Sequence, residues 1–173
     1  MSKLANKNIL LCVTGGIAAY KAAELVRLFK TSNAFVKVLM TKGAQEFITP
    51  LTMQALSGEK VHTDLLSTEA EAAMGHIELA KWCDVIVSAP CSANSLSKLA
   101  DGRGDDLLSA VCLASESELC IAPAMNQAMW KDSRTQKNLK KILRSGAKII
   151  GPASGEQACG DVGEGRMTEP KDI

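Results

Sequence analysis

Ile9-Leu10-Leu11-Cys12-Val13, followed by Thr14-Gly15-Gly16-Ile17, is the stretch on which the reading of the fold turns. Five consecutive apolar residues are short for a buried helix and match a strand covered on both faces, as in a parallel sheet. That strand runs straight into a glycine pair and then into residues 17–30, whose apolar spacing predicts a helix. Further short apolar segments follow at 35–40, 85–89, 119–122 and 148–150. They alternate with helical patterns at 50–57, 93–100, 107–114 and 134–144. Buried strands joined by crossovers long enough to hold a helix predict an α/β fold with a doubly wound parallel sheet. Residues 58–75 are polar and less regular, and read as a loop or a short excursion helix.

The 173 residues fit one domain, 1–173, with room for a real core. Lys and Arg number 20 against 19 Asp and Glu; with a formal charge of +1 and no block of like charge, no nucleic-acid footprint is present. The N-terminus is too polar for a signal peptide, and no apolar run approaches the roughly 18 residues of a membrane span. A soluble, cytoplasmic protein with no membrane partner is the expectation. Of the six cysteines, Cys12, Cys112 and Cys120 lie in apolar runs and read as buried thiols, while Cys83 and Cys91 flank a strand and could be core or lining. No C-x-x-C pair occurs, and His62 and His76 have no metal-ligand spacing with them, so no metal site is expected.

In an open α/β sheet, ligands bind beyond the carboxyl ends of the strands. Thr14-Gly15-Gly16-Ile17 presents backbone N–H groups and a helix N-terminus there, a shape suited to phosphate. Its glycines are adjacent, so neither G-x-G-x-x-G nor a P-loop is present, and a tight turn without ligand would look the same. Ser88-Ala89-Pro90-Cys91-Ser92-Ala93-Asn94-Ser95 offers small hydroxyl and amide groups to phosphate or ribityl hydroxyls, although Ser92 alone reads as an ordinary N-cap. With only 3% aromatic residues, a planar ring bound here would lie between aliphatic side chains and backbone.

Three more groups could carry chemistry. Asn126, in Pro123-Ala-Met-Asn-Gln-Ala-Met-Trp130, follows a strand that Pro123 stops; it faces a ligand or caps the helix beginning near residue 133. His76 opens a short helical stretch, 76–82, where the helix dipole favours the neutral ring as proton acceptor; a surface or capping role is the plainer reading. Cys159 lies in a segment, 152–168, whose Gly155, Gly160, Gly163 and Gly165 prevent a continuous apolar face. Such a segment is a lid or a disordered tail. Near neutral pH an uncovered thiol is mostly protonated, able to donate a proton as well as attack.

Taken together, these segments resemble the homo-oligomeric flavin-containing cysteine decarboxylases, nearest to the branch acting on 4′-phosphopantothenoylcysteine. The resemblance runs through Val13 to Lys21, Phe47 to Leu51, Met74 to Leu79, Ala89-Pro90 with Ser92-Ala93-Asn94, the octapeptide, and Ala158-Cys159-Gly160-Asp161 through Gly165-Arg166-Met167. It implies a flavodoxin-like, Rossmann-like three-layer sandwich binding FMN. The phosphate would sit at the Thr14-Gly15-Gly16 turn and the ribityl chain near Thr41 and the loop of Ser88, Ala89, Pro90, Ser92, Ala93 and Asn94, with Ile17 and Ser109 also binding the cofactor. It implies trimers or dodecamers built of trimers, with FMN and substrate at subunit borders. His76 would be the base, Asn126 would hold the substrate carboxylate with Ala124 and Met125 beside it, and Cys159 would return a proton. Residues 152–168 would be a flap shaped by Ala158, Gly160 and Asp161.

The implied reaction is oxidative decarboxylation to 4′-phosphopantetheine in coenzyme A biosynthesis, through a thioaldehyde and an enethiol. Loss of CO2 from a cysteine amide leaves a carbanion with no sink, and oxidising the thiol carbon to C=S creates one. The alternatives are a peptidyl-cysteine decarboxylase, a flavin prenyltransferase-like enzyme, and a non-catalytic FMN-binding regulatory protein. Two departures stand out. Asp105-Asp106 precedes Leu107-Leu108 where the family usually has Asn-Asp, which places a carboxylate where an amide commonly faces the flavin region. Bacterial members usually continue into a C-terminal ligase domain, so the chain is expected to be part of a bifunctional enzyme.

Overall fold

The computed structural model describes residues 3–66 and 74–173. The opening apolar run is β1 (Asn8–Val13), and β2 (Phe35–Met40), β3 (Val85–Cys91), β4 (Glu118–Pro123) and β5 (Lys148–Ile149) follow. They form one sheet in the order β2-β1-β3-β4-β5, every pairing parallel. Leu11 lies opposite Val38 and Val87, and Cys12 opposite Leu39 and Ser88. Because side chains alternate across a strand, Ile9, Leu11 and Val13 enter one core and Leu10 and Cys12 the other, all 1% exposed or less. Both faces are therefore covered, and the three-layer doubly wound sandwich is the fold.

On the first face, α1 (Lys21–Thr31) packs Ala22, Leu25, Val26 and Phe29, a stripe at helical spacing. Fully burying Leu25 contributes about 2 kcal/mol, and truncating it to Ala costs about 2–5 kcal/mol. Short α2 (Lys42–Gln45) and α3 (Pro50–Ser57) lie on the same side. The limits of α3 are written locally: Thr49 Oγ1 accepts from Thr52 N at 3.2 Å, Pro50 takes the first turn, and Gly58 ends the helix at φ 77°. On the second face α4 (Gly75–Trp82) and α6 (Leu107–Ala114) supply Leu79, Leu107, Leu108 and Val111. Beside them α5 (Ala93–Ala100) and α8 (Ser133–Arg144) enclose Leu96 and Ile142 against Ile121.

Several expectations are corrected. The helix expected over 17–30 divides into a 3-10 turn at Ile17–Tyr20 and then α1, because Gly16 offers no side-chain cap and the first turn tightens. Asn126 does not cap the helix near residue 133, where Asp132 accepts from Arg134 N at 2.8 Å; it caps an additional helix, α7 (Gln127–Lys131). Residues 152–168 are not a disordered tail, since β6 (Ala153–Glu156) and β7 (Val162–Arg166) form an antiparallel hairpin. Cys83 and Cys91 are core thiols. Of the excursion at 58–75, residues 67–73 lie outside the described residues; within its described part His62 bridges to Leu39.

Candidate active site

The strand order changes direction between β1 and β3, which leaves a crevice outside their carboxyl ends. A cavity of about 710 Å³ opens there, within the range of small-ligand sites. Its floor is tied by Thr14, which is fully buried: Oγ1 donates to Pro90 O at 2.7 Å and accepts from Ser92 N at 2.8 Å. Thr14 thus joins the ends of β1 and β3 instead of offering its hydroxyl to a ligand. Gly15 lets α2 approach, since a Cβ there would stand 2.9 Å from the Gly43 carbonyl carbon. Gly16 presents bare backbone to the cavity, and among the described residues neither Gly15 N–H nor Gly16 N–H is spent on a backbone carbonyl. Ser92, which caps α5 through Ser95 N at 3.2 Å, and Ala93 complete this side.

Ala124, Met125 and Asn126, just past β4, form the next wall, and the β6–β7 hairpin closes over them. Docking is by hydrogen bonds. Met125 N donates to Gly165 O at 2.9 Å, and Gln157 Oε1 accepts from Gln127 N at 3.0 Å. Gly165, at φ 141°, permits this contact, because a Cβ there would collide with the Met125 carbonyl oxygen. Ala158 and Cys159 therefore face the cavity at the hairpin tip, the thiol exposed. Asn126 Nδ2 donates to Asp161 Oδ2 at 2.8 Å and stands 3.5 Å from Cys159 Sγ, while its Oδ1 accepts from Ala128 N at 2.8 Å. Gly160 lies in the hairpin turn, its N–H bonded to Gln157 O.

Two cations border the same space. Lys21, only 8% exposed, donates to Glu169 Oε1 at 2.8 Å and to Met167 O at 3.4 Å, and Arg166 reaches Glu169 at 3.5 Å. Ile17 and Tyr20, 62% and 61% exposed, leave an apolar rim. The space thus combines unspent backbone donors and aliphatic walls, with Lys21 and Arg166 at its border paired to Glu169, a fit for a planar group whose anionic tail meets the glycine turn.

The structure separates other expected residues from the cavity. Ser88, Ala89 and Pro90 are buried beneath it, Thr41 caps α2, and Asn94 is exposed on α5. Ser109 and Asp106 form the capping box of α6. Asp105 pairs with Arg103 at 2.8 Å and Lys98 at 3.3 Å. Burial opposes charge on Asp106, yet hydrogen bonds from Ser109 and the Lys98 ammonium outweigh it and hold its carboxyl below the usual range. His76 sits in the first turn of α4, against α6, its Nδ1 buried and without a partner among the described residues. Within one chain it does not line the cavity with Asn126 and Cys159. Sequence reading passed over Lys21, Gln157 and Arg166 as site residues. Lys21 carried a signal, a basic residue one turn after the glycine pair on an apolar helix face; Gln157 carried none.

A doubly wound sheet with such a cavity at its switch point defines an α/β protein of the nucleotide-cofactor-binding class. More specifically, the chain belongs to the flavoprotein family, whose family model matches residues 1–173. It is 54% identical over 173 residues, all of this chain, to the coenzyme A biosynthesis bifunctional protein CoaBC of Vibrio vulnificus, and 51% over 170 residues to that of Escherichia coli. The chain spans 43% and 42% of those proteins, less than half of their length. Among solved structures it is similar to a PPC decarboxylase cysteine-to-serine mutant complexed with pantothenoylaminoethenethiol: TM-score 0.82, 33% identity, 96% of this chain and 93% of that one. The FMN binding protein AtHal3 gives TM-score 0.80 at 35% identity, over 96% and 91%. Among the described residues no helix is long and apolar enough to cross a membrane, and no group of three His, Cys, Asp or Glu side chains could hold a metal ion.

Proposed function

We propose that this chain is an FMN-dependent decarboxylase domain that converts 4′-phosphopantothenoylcysteine to 4′-phosphopantetheine in the cytoplasm. The observation that carries the reading is the convergence of the Gly15-Gly16 turn, Asn126 and Cys159 on one cavity. Its support in the comparisons is the identity to CoaBC proteins across the whole chain and the likeness to PPC decarboxylase. Gly15, Gly16, Ile17, Ser92 and Ala93 would hold FMN, with Lys21 and Arg166, both paired with Glu169, beside them. When bound, FMN supplies the two-electron oxidation of the thiol-bearing carbon and its later reversal.

The protein's own groups do the rest. Asn126 orients the substrate carboxylate by donating from Nδ2. Cys159, on the hairpin, returns a proton to the enethiolate and with its neighbours excludes water. His76 takes the thiol proton, and because it does not line this chain's cavity, it acts at the cavity of a neighbouring subunit in a homo-oligomer. The exposed Ile17 and Tyr20 rim suits such a border. A fused ligase domain belongs to the same reading, since the chain corresponds to under half of each CoaBC relative.

Anaerobic mixing of the FMN-loaded protein with 4′-phosphopantothenoylcysteine tests this. Transient loss of the visible flavin band followed by CO2 release is expected; CO2 release with the band unchanged throughout would overturn it.

A further inference from the structure

We infer that Asp161 is a built-in competitor for the substrate carboxylate at Asn126, so that the flap yields the amide only to a ligand carrying a carboxylate of its own. The inference rests on the function proposed above. An asparagine side chain has one acceptor oxygen and two N–H donors. Asn126 commits its oxygen to Ala128 N at 2.8 Å, which fixes where Nδ2 points. Nδ2 donates to Asp161 Oδ2 at 2.8 Å; Gln157 Oε1 at 3.4 Å is a long contact, and Cys159 Sγ at 3.5 Å is a weak acceptor. The one short bond that the amide gives ends on a carboxylate, the chemical group it holds on the substrate.

Nothing in the hairpin requires that carboxylate for its shape. The turn closes through backbone, Gln157 N to Asp161 O at 2.7 Å and Gly160 N to Gln157 O at 2.9 Å. The hairpin docks through Met125 N to Gly165 O and through the Gln157 side chain. Among the described residues the bond to Asn126 is the only one the Asp161 side chain makes. Two carboxylates facing one amide repel. Arrival of the substrate carboxylate therefore expels Asp161, and because Asp161 is two residues from Cys159, the exchange also moves the thiol off the amide. A ligand without a carboxylate offers Asn126 no replacement, so the exchange acts as a specificity filter.

The test compares FMN-loaded wild type with Asp161→Asn and Asp161→Ala. The KM for 4′-phosphopantothenoylcysteine and the inhibition constant of its decarboxylated product are measured for each. Removing the competitor lowers KM by about three- to tenfold in Asp161→Ala, the net scale of one ordinary hydrogen bond, because water screens the charge of this exposed pair. Asp161→Asn keeps the shape without the charge and lowers KM by a smaller factor. The product constant stays unchanged, because the product has no carboxylate to exchange. A KM that rises or stays level, or a product constant that moves with it, overturns the competitor while wild-type turnover leaves the function reading intact. A wild type that releases no CO2 overturns the function reading, and with it the identity of the displaced carboxylate.

Discussion

Asn126 Nδ2 and Asp161 Oδ2 meet across 2.8 Å although 35 residues separate them, so the wall beyond β4 and the hairpin tip are joined at one amide. Asn126→Asp replaces that donor with a second carboxylate. It then faces Asp161 and an incoming substrate carboxylate with charge of the same sign. A hydrogen bond to a charged group is worth about 1.5–3 kcal/mol, so KM rises by roughly ten- to a hundredfold. Steady-state kinetics decide the matter, and an unaltered KM removes Asn126 from the site.

Gly165→Ala tests whether the hairpin must dock. The added Cβ collides with the Met125 carbonyl oxygen, and φ 141° strains any residue with a side chain. The Met125 N–Gly165 O bond and the Gln157 contacts are lost together. The sheet does not use the hairpin, but Met167 just beyond Gly165 is buried in the main core, so the midpoint of thermal unfolding falls by a few degrees while KM rises at least about tenfold, as expected for losing one or two docking bonds. Faster proteolysis within residues 153–166 accompanies it; wild-type KM and wild-type protease resistance together would show that the hairpin docks some other way.

The physical basis of legibility differs between these parts. Ile9 to Val13 announced a parallel strand because a segment covered on both faces has nowhere to place polar side chains. Thr49, Pro50 and Gly58 set the limits of α3 by local backbone chemistry. The β6–β7 hairpin left no comparable trace: Gly155, Gly163 and Gly165 supply no apolar alternation, and its order comes from docking on Met125 and Gln127, more than 25 residues away in sequence. The meeting of Asn126 with Cys159 followed from family resemblance and not from spacing. Thr14, read as a ligand contact, turned out to be a buried staple, since its hydroxyl has both partners inside the fold.

Alkaline stability follows from the buried thiols Cys12 and Cys91 and the half-buried Cys112. Burial pushes Cys91 and Cys112 up to about 12 and raises Cys12 well above its ordinary value, the neighbouring thiols adding to the effect on Cys12 and Cys112. An unfolded thiol ionises near pH 8.5, as its reference value is about that. Above that pH the unfolded chain binds fewer protons than the folded one, so stability is fully present below it and falls as pH rises toward about 12. Each thiol contributes a slope of about 1.4 kcal/mol per pH unit in that window. Whatever Cys91→Ala does to absolute stability, it makes the slope shallower by that amount. Urea unfolding between about pH 9 and 11 measures it, and parallel slopes would contradict the shift.

His76→Asn keeps the size and one hydrogen-bonding side of the ring but cannot take up the thiol proton near neutral pH. Its Nδ1 is already buried without a partner among the described residues, so fold stability changes little. FMN content should match wild type while both bleaching and CO2 release disappear. Because the residue acts on a neighbouring cavity in the proposed assembly, mixing His76→Asn with Cys159→Ser subunits restores part of the aminothiol formation through sites that combine both intact groups. Mixtures that make no more product than the separate variants would confine His76 to its own chain's site.

Cys159→Ser separates the last proton from the earlier steps. The hairpin keeps its dock, since the bonds from Met125 N to Gly165 O and from Gln127 N to Gln157 Oε1 do not involve the thiol. Asn126 still orients the carboxylate, and oxidation and loss of CO2 proceed. What is missing is a thiol beside the enethiolate, because a hydroxyl is a far weaker acid than a thiol. One equivalent of CO2 per subunit is therefore released while aminothiol formation slows by about 100-fold or more, the lower end of what a positioned acid contributes. The enethiol accumulates and is identified by mass, two hydrogens lighter than 4′-phosphopantetheine. Aminothiol appearing at the wild-type rate would assign the proton to another donor.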